Sequence, residues 1–457
     1  MSKLRVLRVN YKHVHHHVRL FSSSTSLKRP ASQLFGIPSS PEYPSPAEIA
    51  PLLAEFASHP PKPLTLSTLL SFGKPLTQES LLASVNYVLS EVPRLFGQRV
   101  RSLEALPFIV GMNPFVARIL AGYRRAFKII ATYPPVTSLE ENARFTTQLE
   151  ALVQAHANDI PTMAKGFQEC SRYMTPEEIT QFLDSAIRNR ITVRLIAEQH
   201  IALSHALQHP EQAAKAHIGV VHIACKPKDM IRMCGSFVQE LSEASLGASP
   251  KIEIGGDVDA TFAYVPVHLE YILTEVLKNS FRATVERYQR FKHSSSDPMP
   301  PVSITIVSPP PHTKLQLPNP PRPAFLAMRI RDEGGGVSEA NMARIFSYSF
   351  TTAGRNSSGS LEDDSGGGGG PYAAQHIGGS AAIGNSDQGA VGLFGEMTGR
   401  GVQTGMGTIA GLGYGLPLSR LYARYFGGSF DFVSLDGWGS DVFVKLRCLD
   451  DAKDIPL

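Results

Sequence analysis

From about residue 64 to residue 225, apolar residues recur at spacings of three and four, the period of helices that bury one face. Thr77-Gln78-Glu79-Ser80 opens one such helix, carried on by Leu81, Leu82, Val85 and Val88. Others are predicted from about Pro114 to Thr132, Leu139 to Tyr173 and Pro176 to Leu207. Thr175-Pro176-Glu177-Glu178 is a strong start signal: a capping hydroxyl, a proline that needs no N–H partner, and acids against the positive helix end. Four long helices with short connections predict a bundle. Beyond about residue 226 the period shortens to two. Strands are expected at 251–255, 260–265, 302–308, 325–331, 429–435 and 440–448, with helices near 267–290 and 416–426. The fold class expected is therefore α+β: an N-terminal four-helix bundle over 63–225, then an α/β sandwich over 226–450 with helices on one face of a mixed sheet.

Composition changes this picture at the ends and in two insertions. Residues 30–62 are rich in Pro and Ser and read as a linker. A proline-rich excursion, Pro309 to Pro323, separates two strands, and 354–410 is of low complexity around the run Gly366 to Gly370. A mobile lid over 351–410 is expected there. Residues 1–29 carry seven basic residues (Lys3, Arg5, Arg8, Lys12, Arg19, Lys28, Arg29), and the first acid is Glu42. Such a basic, acid-free leader ending in Ser and Thr reads as a mitochondrial presequence, its His13, His15, His16 and His17 included. Removing those seven from the 44 basic residues leaves 37 against 40 acidic, so nothing in the body argues for nucleic acid. Cys170, Cys225, Cys234 and Cys448 lie far apart, which suits scattered thiols in a reducing compartment better than zinc or a disulfide framework. No apolar run is long enough to span a bilayer, so a soluble chain is expected.

The candidate chemistry begins on the helix Tyr271 to Glu286. Glu275, Asn279, Arg282 and Glu286 follow at steps of four, three and four and share one face, while Leu269, Ile272, Val276 and Ala283 suit packing on a sheet. A carboxylate and an amide oxygen one turn apart can serve a hydroxyl nucleophile and a hydrated Mg²⁺ together. Next comes a strand running into Asp332-Glu333-Gly334-Gly335-Gly336. An acid there can accept from an adenine amine, and glycines let the backbone approach the base. Finally, Gly411-Leu-Gly413-Tyr-Gly415-Leu416-Pro417 opens a helix whose free N–H groups and positive dipole end suit phosphate. Each motif alone is weak; their order within one α/β domain gives them weight. There is no GxxxxGK[ST] loop and no HRD or DFG series.

The three motifs together resemble the nucleotide-binding superfamily of histidine kinases, heat-shock 90 chaperones and type II topoisomerases. A closer resemblance is to the mitochondrial kinases of 2-oxo acid dehydrogenase complexes, over roughly residues 64 to 450. It is carried by Leu106-Pro-Phe-Ile-Val-Gly-Met-Asn113-Pro114, Arg188 to His200, Lys278 to Glu286, Phe346-Ser-Tyr-Ser-Phe-Thr351-Thr352-Ala353 and Tyr414-Gly-Leu-Pro-Leu-Ser-Arg-Leu-Tyr-Ala-Arg-Tyr-Phe426. The resemblance implies Glu275 as the base that orients a substrate serine hydroxyl, Asn279 as the Mg²⁺ ligand and Asp332 as the adenine anchor. Gly334 and Gly336 would pass close to the base, Thr351 and Thr352 would begin the lid, and Gly411, Gly413, Gly415 and Leu416 would wrap the phosphates. Lys278 and Arg282 would balance phosphate charge, with an ion pair to Glu286 the ordinary alternative for Arg282. The cofactors implied are ATP and Mg²⁺, with K⁺ near the nucleotide left open. Implied partners are the lipoyl-bearing acyltransferase core, the decarboxylase α subunit as substrate, and a second copy of the chain through the sheet domain. The matrix is the implied location. Glu333 departs from the usual Arg and would add negative charge near the nucleotide; Ser440 keeps a hydroxyl where many relatives have Thr.

Pyruvate-specific members usually carry a histidine one turn before the base, where this chain has Tyr271, and they often end in an aromatic tail that is missing here. Both features lean towards the branched-chain complex as target, with a pyruvate dehydrogenase kinase as the alternative. Two more distant readings are a histidine kinase phosphorylated on His200 and a non-catalytic ATP switch. His200 reads better as a structural histidine. Arg190 and Arg194, one turn apart, could contact a regulatory 2-oxo acid, although internal ion pairs are the commoner fate of such residues.

Overall fold

A computed structural model describes residues 44–211, 216–291, 298–309, 324–348 and 413–448; the leader at 1–29 and the lid expected at 351–410 lie outside them. The chain is α+β. Its first part is helical: α1 (Pro46–Ala57), α2 (Leu66–Ser71), α3 (Gln78–Glu104), α4 (Phe108–Gly111), α5 (Pro114–Ala131), α6 (Leu139–Ala155), α7 (Asp159–Glu169) and α8 (Pro176–Gln208). The long helices start where the sequence offers an oxygen to the orphaned N–H groups. Thr77, Ser138 and Thr175 form capping boxes, and Asn113 accepts from Phe115 and Val116. α3 packs on α5 and α8, α6 on α8, and α5 on α7.

Two expectations change here. Residues 46–57 are helical although they fall within the stretch expected to be a linker. Ser45 caps this helix in a capping box with Glu48, Pro46 stands in its first turn, and Ile49 and Leu53 are buried. The Ser and Pro that suggested a linker are there a cap and a helix start. The single helix expected from Leu139 to Tyr173 breaks after Ala155. At the break, Arg190 of α8 donates to the His156 carbonyl at 2.6 Å and reaches Asp159 at 3.5 Å, so a long-range partner replaces the lost helical bond.

The second part has two sheets. β1 (His217–Ile218), β2 (Val221–Cys225) and β4 (Phe262–Tyr264) form a small antiparallel sheet in that order; β1 and β2 fall in the region expected to be helical up to 225, and β4 in the strand expected at 260–265. The larger sheet runs β3-β5-β6-β8-β7, built from β3 (Ile252–Gly256), β5 (Val302–Val307), β6 (Phe325–Asp332), β7 (Ser429–Leu435) and β8 (Gly439–Arg447). β3 and β5 are parallel; the other pairs are antiparallel. Its helices are α9 (Pro227–Leu246), α10 (Pro266–Phe291), α11 (Glu339–Met342) and α12 (Gly415–Tyr425), with α10 packed on α9, α12 and β6. The alternation read from sequence becomes rows of core side chains across the register: Ile306, Met328, Val444 and Phe430 in one, Ile304, Ile330 and Val442 in the next. α9 was not expected.

Two histidines are sealed in these cores. His200 is fully buried and shares a 3.1 Å hydrogen bond with Ser84, while His268 sits among Tyr264, Tyr422, Tyr425 and Phe426. Burial pushes His200 down to about 4 and His268 down to about 3. Their folded values lie below the ordinary one near 6.5, so the unfolded chain takes up protons first as pH falls. Their contribution is fully present above about pH 6.5 and is lost towards pH 4 and below. Urea unfolding at pH 7 and pH 5 is expected to give the lower midpoint at pH 5, and His268→Phe is expected to narrow the gap.

Candidate active site

The site follows from the pleat of β6. Leu326, Met328, Ile330 and Asp332 alternate onto the same face, so the strand that builds the core also carries a carboxylate into it. An ionised group there is costly unless its oxygens are satisfied. Gly334 N–H donates to Asp332 Oδ1 at 2.9 Å and Ser280 Oγ donates to Oδ2 at 3.0 Å. Burial still holds Asp332 above the usual carboxylate value, against the lowering effect of those bonds. Two carboxylate oxygens offer about four acceptor sites, so capacity is left for a donor from the adjoining cavity. Ser440 stands opposite Asp332 in the register and lines the same space.

That cavity, about 660 Å³, is lined by Glu275, Asn279, Arg282 and Glu286 of α10, by Asp332, Gly334 and Gly336, and by Gly413, Gly415 and Leu416 at the start of α12. Lys278 lines it too. Thr351, Thr352 and Gly411 lie outside the described residues. The other sequence-derived candidates are thus brought to one place by three separate elements. α10 turns its apolar residues, among them Ile272, Val276 and Phe281, into the core and leaves Asn279 exposed on the cavity side. Ala283 was expected on the sheet face, yet it also lines the cavity, where a Cβ on Gly334 would come within 3.0 Å of it. Glu333 does not line the cavity, although its neighbours Asp332 and Gly334 do. The pleat separates it from Asp332.

Charge within the cavity is largely paired. Lys278 Nζ donates to Glu275 Oε1 at 2.8 Å and Arg282 Nε to Glu286 Oε1 at 2.6 Å. The ion pair that was the ordinary alternative for Arg282 is therefore formed. With Oε1 taken by Lys278, the other oxygen of Glu275 faces α12: a Cβ on Gly415 would come within 3.0 Å of Oε2. α12 has no side-chain cap among the described residues, and Gly415 and Leu416 of its first turn line the cavity. Asn279 makes no side-chain hydrogen bond to a described residue, and its amide oxygen and the Glu275 carboxylate are hard oxygen donors of the kind Mg²⁺ takes beside phosphate and water. Those residues fit the metal.

Sequence reasoning missed Ser280 and Arg287. Ser280 follows Asn279 and turns inward to Asp332, 52 positions away, a pairing no local period reveals. Arg287 donates to the carbonyls of Glu333 and Trp438 and ties the glycine triplet to the β7–β8 turn. Arg190 and Arg194 of α8 hold Asp159 and Glu198, at 3.5 and 2.8 Å. Buried His200 offers no surface to a phosphate donor.

The glycines here answer different demands. Gly336 has φ +73° and a Cβ on it would come within 3.0 Å of the Leu435 carbonyl, whereas Gly437 has φ +80° with open space around it. Gly437→Ala is expected to cost only the left-handed penalty, about 1–2 kcal/mol. Gly336→Ala is expected to cost about 1–3 kcal/mol more through overpacking against backbone. Denaturant unfolding of the two variants checks the difference.

Residues 63–222 match the family model described as mitochondrial branched-chain alpha-ketoacid dehydrogenase kinase. The chain is 28% identical over 394 residues to the mitochondrial [pyruvate dehydrogenase (acetyl-transferring)] kinase of Arabidopsis thaliana, covering 86% of this chain and 92% of that one. It is 26% identical to the Drosophila melanogaster protein of the same name, over 92% and 89% of the two chains, and 25% identical to kinase 1 of Saccharomyces cerevisiae, over 87% and 86%. With the helical part matching the family model and the relatives aligning across both parts, the chain is similar along most of its length to mitochondrial pyruvate dehydrogenase and branched-chain alpha-ketoacid dehydrogenase kinases.

Proposed function

We propose that the chain transfers the γ-phosphoryl group of ATP to a serine of the decarboxylase α subunit of a 2-oxo acid dehydrogenase complex in the mitochondrial matrix, and so inactivates it. The observation that supports this best is the convergence of Glu275, Asn279, Asp332 and the start of α12 on one cavity. In this reading residues 226–450 are a nucleotide-binding domain of the histidine kinase and heat-shock 90 type, following a four-helix bundle over 63–225. Asp332 accepts from the adenine amine, with Ser280 and Gly334 holding its carboxylate in place. Gly334 and Gly336 admit the base; Gly413, Gly415 and Leu416 present backbone to the phosphates. Glu275 orients the serine hydroxyl and takes its proton, with Lys278 fixing one carboxylate oxygen. Mg²⁺, held by Asn279, would neutralise charge building on the transferred group. Little covalent chemistry is left to the protein, so positioning carries the catalysis.

The pyruvate complex is the better supported target, because the relatives that align along both parts are named as pyruvate dehydrogenase kinases. A branched-chain target is the second reading. It is favoured by the description of the model matching 63–222 and by Tyr271 one turn before Glu275. The helical part would dock on the lipoyl-bearing acyltransferase core. A homodimer through the larger sheet is also part of the proposal, supported by edge strand β7 and by exposed Val433, Leu435 and Phe443. K⁺ beside the nucleotide rests on family resemblance alone and is tested by replacing K⁺ with Na⁺ in the assay.

Incubation with labelled ATP and purified pyruvate and branched-chain complexes, side by side, is expected to label serine in the α subunit of the pyruvate complex. Stronger labelling of the other complex would reverse the order of the two readings. Glu275→Gln is expected to lower the rate of transfer by roughly 10²–10⁴-fold, the usual worth of a positioned base. Asn279→Ala is expected to abolish Mg²⁺-dependent transfer. Label on His200, or none on either complex, would refute the assignment.

A further inference from the structure

α12, whose first residues line the cavity, is tied to α8 of the helical part at two points. Near its end, the Tyr425 hydroxyl and Thr192 Oγ1 lie 2.7 Å apart. Near its start the tie runs through a third element. The Tyr348 hydroxyl donates to Asp184 Oδ1 of α8 at 2.5 Å, the Tyr348 ring lies 5.0 Å from that of Tyr414, and Tyr414 is the residue from which α12 begins. Both tyrosines are buried. Burial, and then the charge of Asp184, hold the Tyr348 hydroxyl well above its ordinary value, so it stays a donor. On the same helix, Arg420 lies over the Phe346 ring at 4.0 Å.

We infer that Asp184 and Tyr348 are positioning residues for the phosphate end of the nucleotide cavity: a hydrogen bond from the helical part fixes where α12 begins relative to Glu275. Neither residue lines the cavity. Their effect passes through Tyr414 to Gly415, which stands so close to Glu275 Oε2 that a Cβ there would displace the carboxylate. A displacement of Tyr414 is therefore also a displacement of the phosphate-facing N–H groups against the catalytic carboxylate. Two tyrosine rings in tilted contact can slide, whereas a short hydrogen bond to a carboxylate is strong and directional. Asp184 thus sets the position and the rings transmit it. The inference rests on the reading of the cavity as an ATP site.

The test compares ATP with AMP, in Mg²⁺, by isothermal titration on the full chain. The two ligands share the adenine end held by Asp332 and differ in the phosphates that α12 would hold. Tyr348→Phe and Asp184→Ala are each expected to weaken ATP binding roughly tenfold, about 1.4 kcal/mol, and to leave AMP binding unchanged. Asp184→Asn keeps an acceptor oxygen and is expected to recover most of the loss. The double variant is expected to be no weaker than either single one, because both remove the same bond. In the kinase assay the KM for ATP rises while the KM for the protein substrate stays put. Thermal unfolding checks that the fold is kept, and Tyr348→Phe, which removes only a hydroxyl, carries the test should Asp184→Ala not fold. An unchanged ATP-to-AMP ratio in the variants overturns the inference, as does an equal loss for both ligands. A wild-type chain that binds neither nucleotide instead overturns the ATP reading itself, before any variant is made.

Discussion

The second part of this molecule is organised around one unfavourable burial. The aliphatic face of β6 ends in Asp332, and the strand cannot bury Ile330 and Met328 without carrying that carboxylate towards the core. The surroundings offset the cost in kind. Ser280 comes from the helix above, Gly334 from the turn that follows, and the neighbouring strand brings Ser440 alongside. Each of these also brings a wall of the cavity with it. The turn needs glycine because Ala283 and the β7–β8 connection crowd it, and the helix that supplies Ser280 presents Asn279 and Glu275 on its next face. Satisfying one acid therefore assembles most of a binding site.

Much of this was legible in the sequence because its signals are local. The alternation in β5, β6 and β8 survives as the inward rows of the sheet, and the spacing of Glu275, Asn279, Arg282 and Glu286 survives as one lined face. What was not legible depends on partners distant in the chain. The break after Ala155 is stabilised by Arg190, and the role of Ser280 by Asp332. α1 was missed for a different reason, since Ser and Pro serve linkers and helix starts alike and only the burial of Ile49 and Leu53 decides between them. Arg282 was read as a phosphate contact or as an internal ion pair, and its 2.6 Å bond to Glu286 realises the second. Arg190 and Arg194 are likewise engaged internally.

The pairing of Lys278 with Glu275 bears on chemistry as well as on stability. An ammonium on one carboxylate oxygen restrains the side chain and leaves the other oxygen facing α12. In the proposed reading Glu275 is a base that meets a serine from a large protein substrate, and such restraint favours that encounter by holding the acceptor in place. The same arrangement means that a side chain at Gly415 would displace the Glu275 carboxylate, since the helix start and the carboxylate occupy adjacent space.

α8 runs for 33 residues, a rod of about 50 Å. Along it lie Asp184, which meets Tyr348, Thr192, which meets Tyr425, and Gln199, which holds Leu69 and Val220 by their backbones. One uninterrupted helix is thereby a structural member of both parts. Neither part carries a complete surface of its own: cutting the chain after residue 225 would strand the tyrosines of one fragment and the acid of the other. Opening either part therefore also breaks bonds made by the other, and their stabilities are coupled through α8.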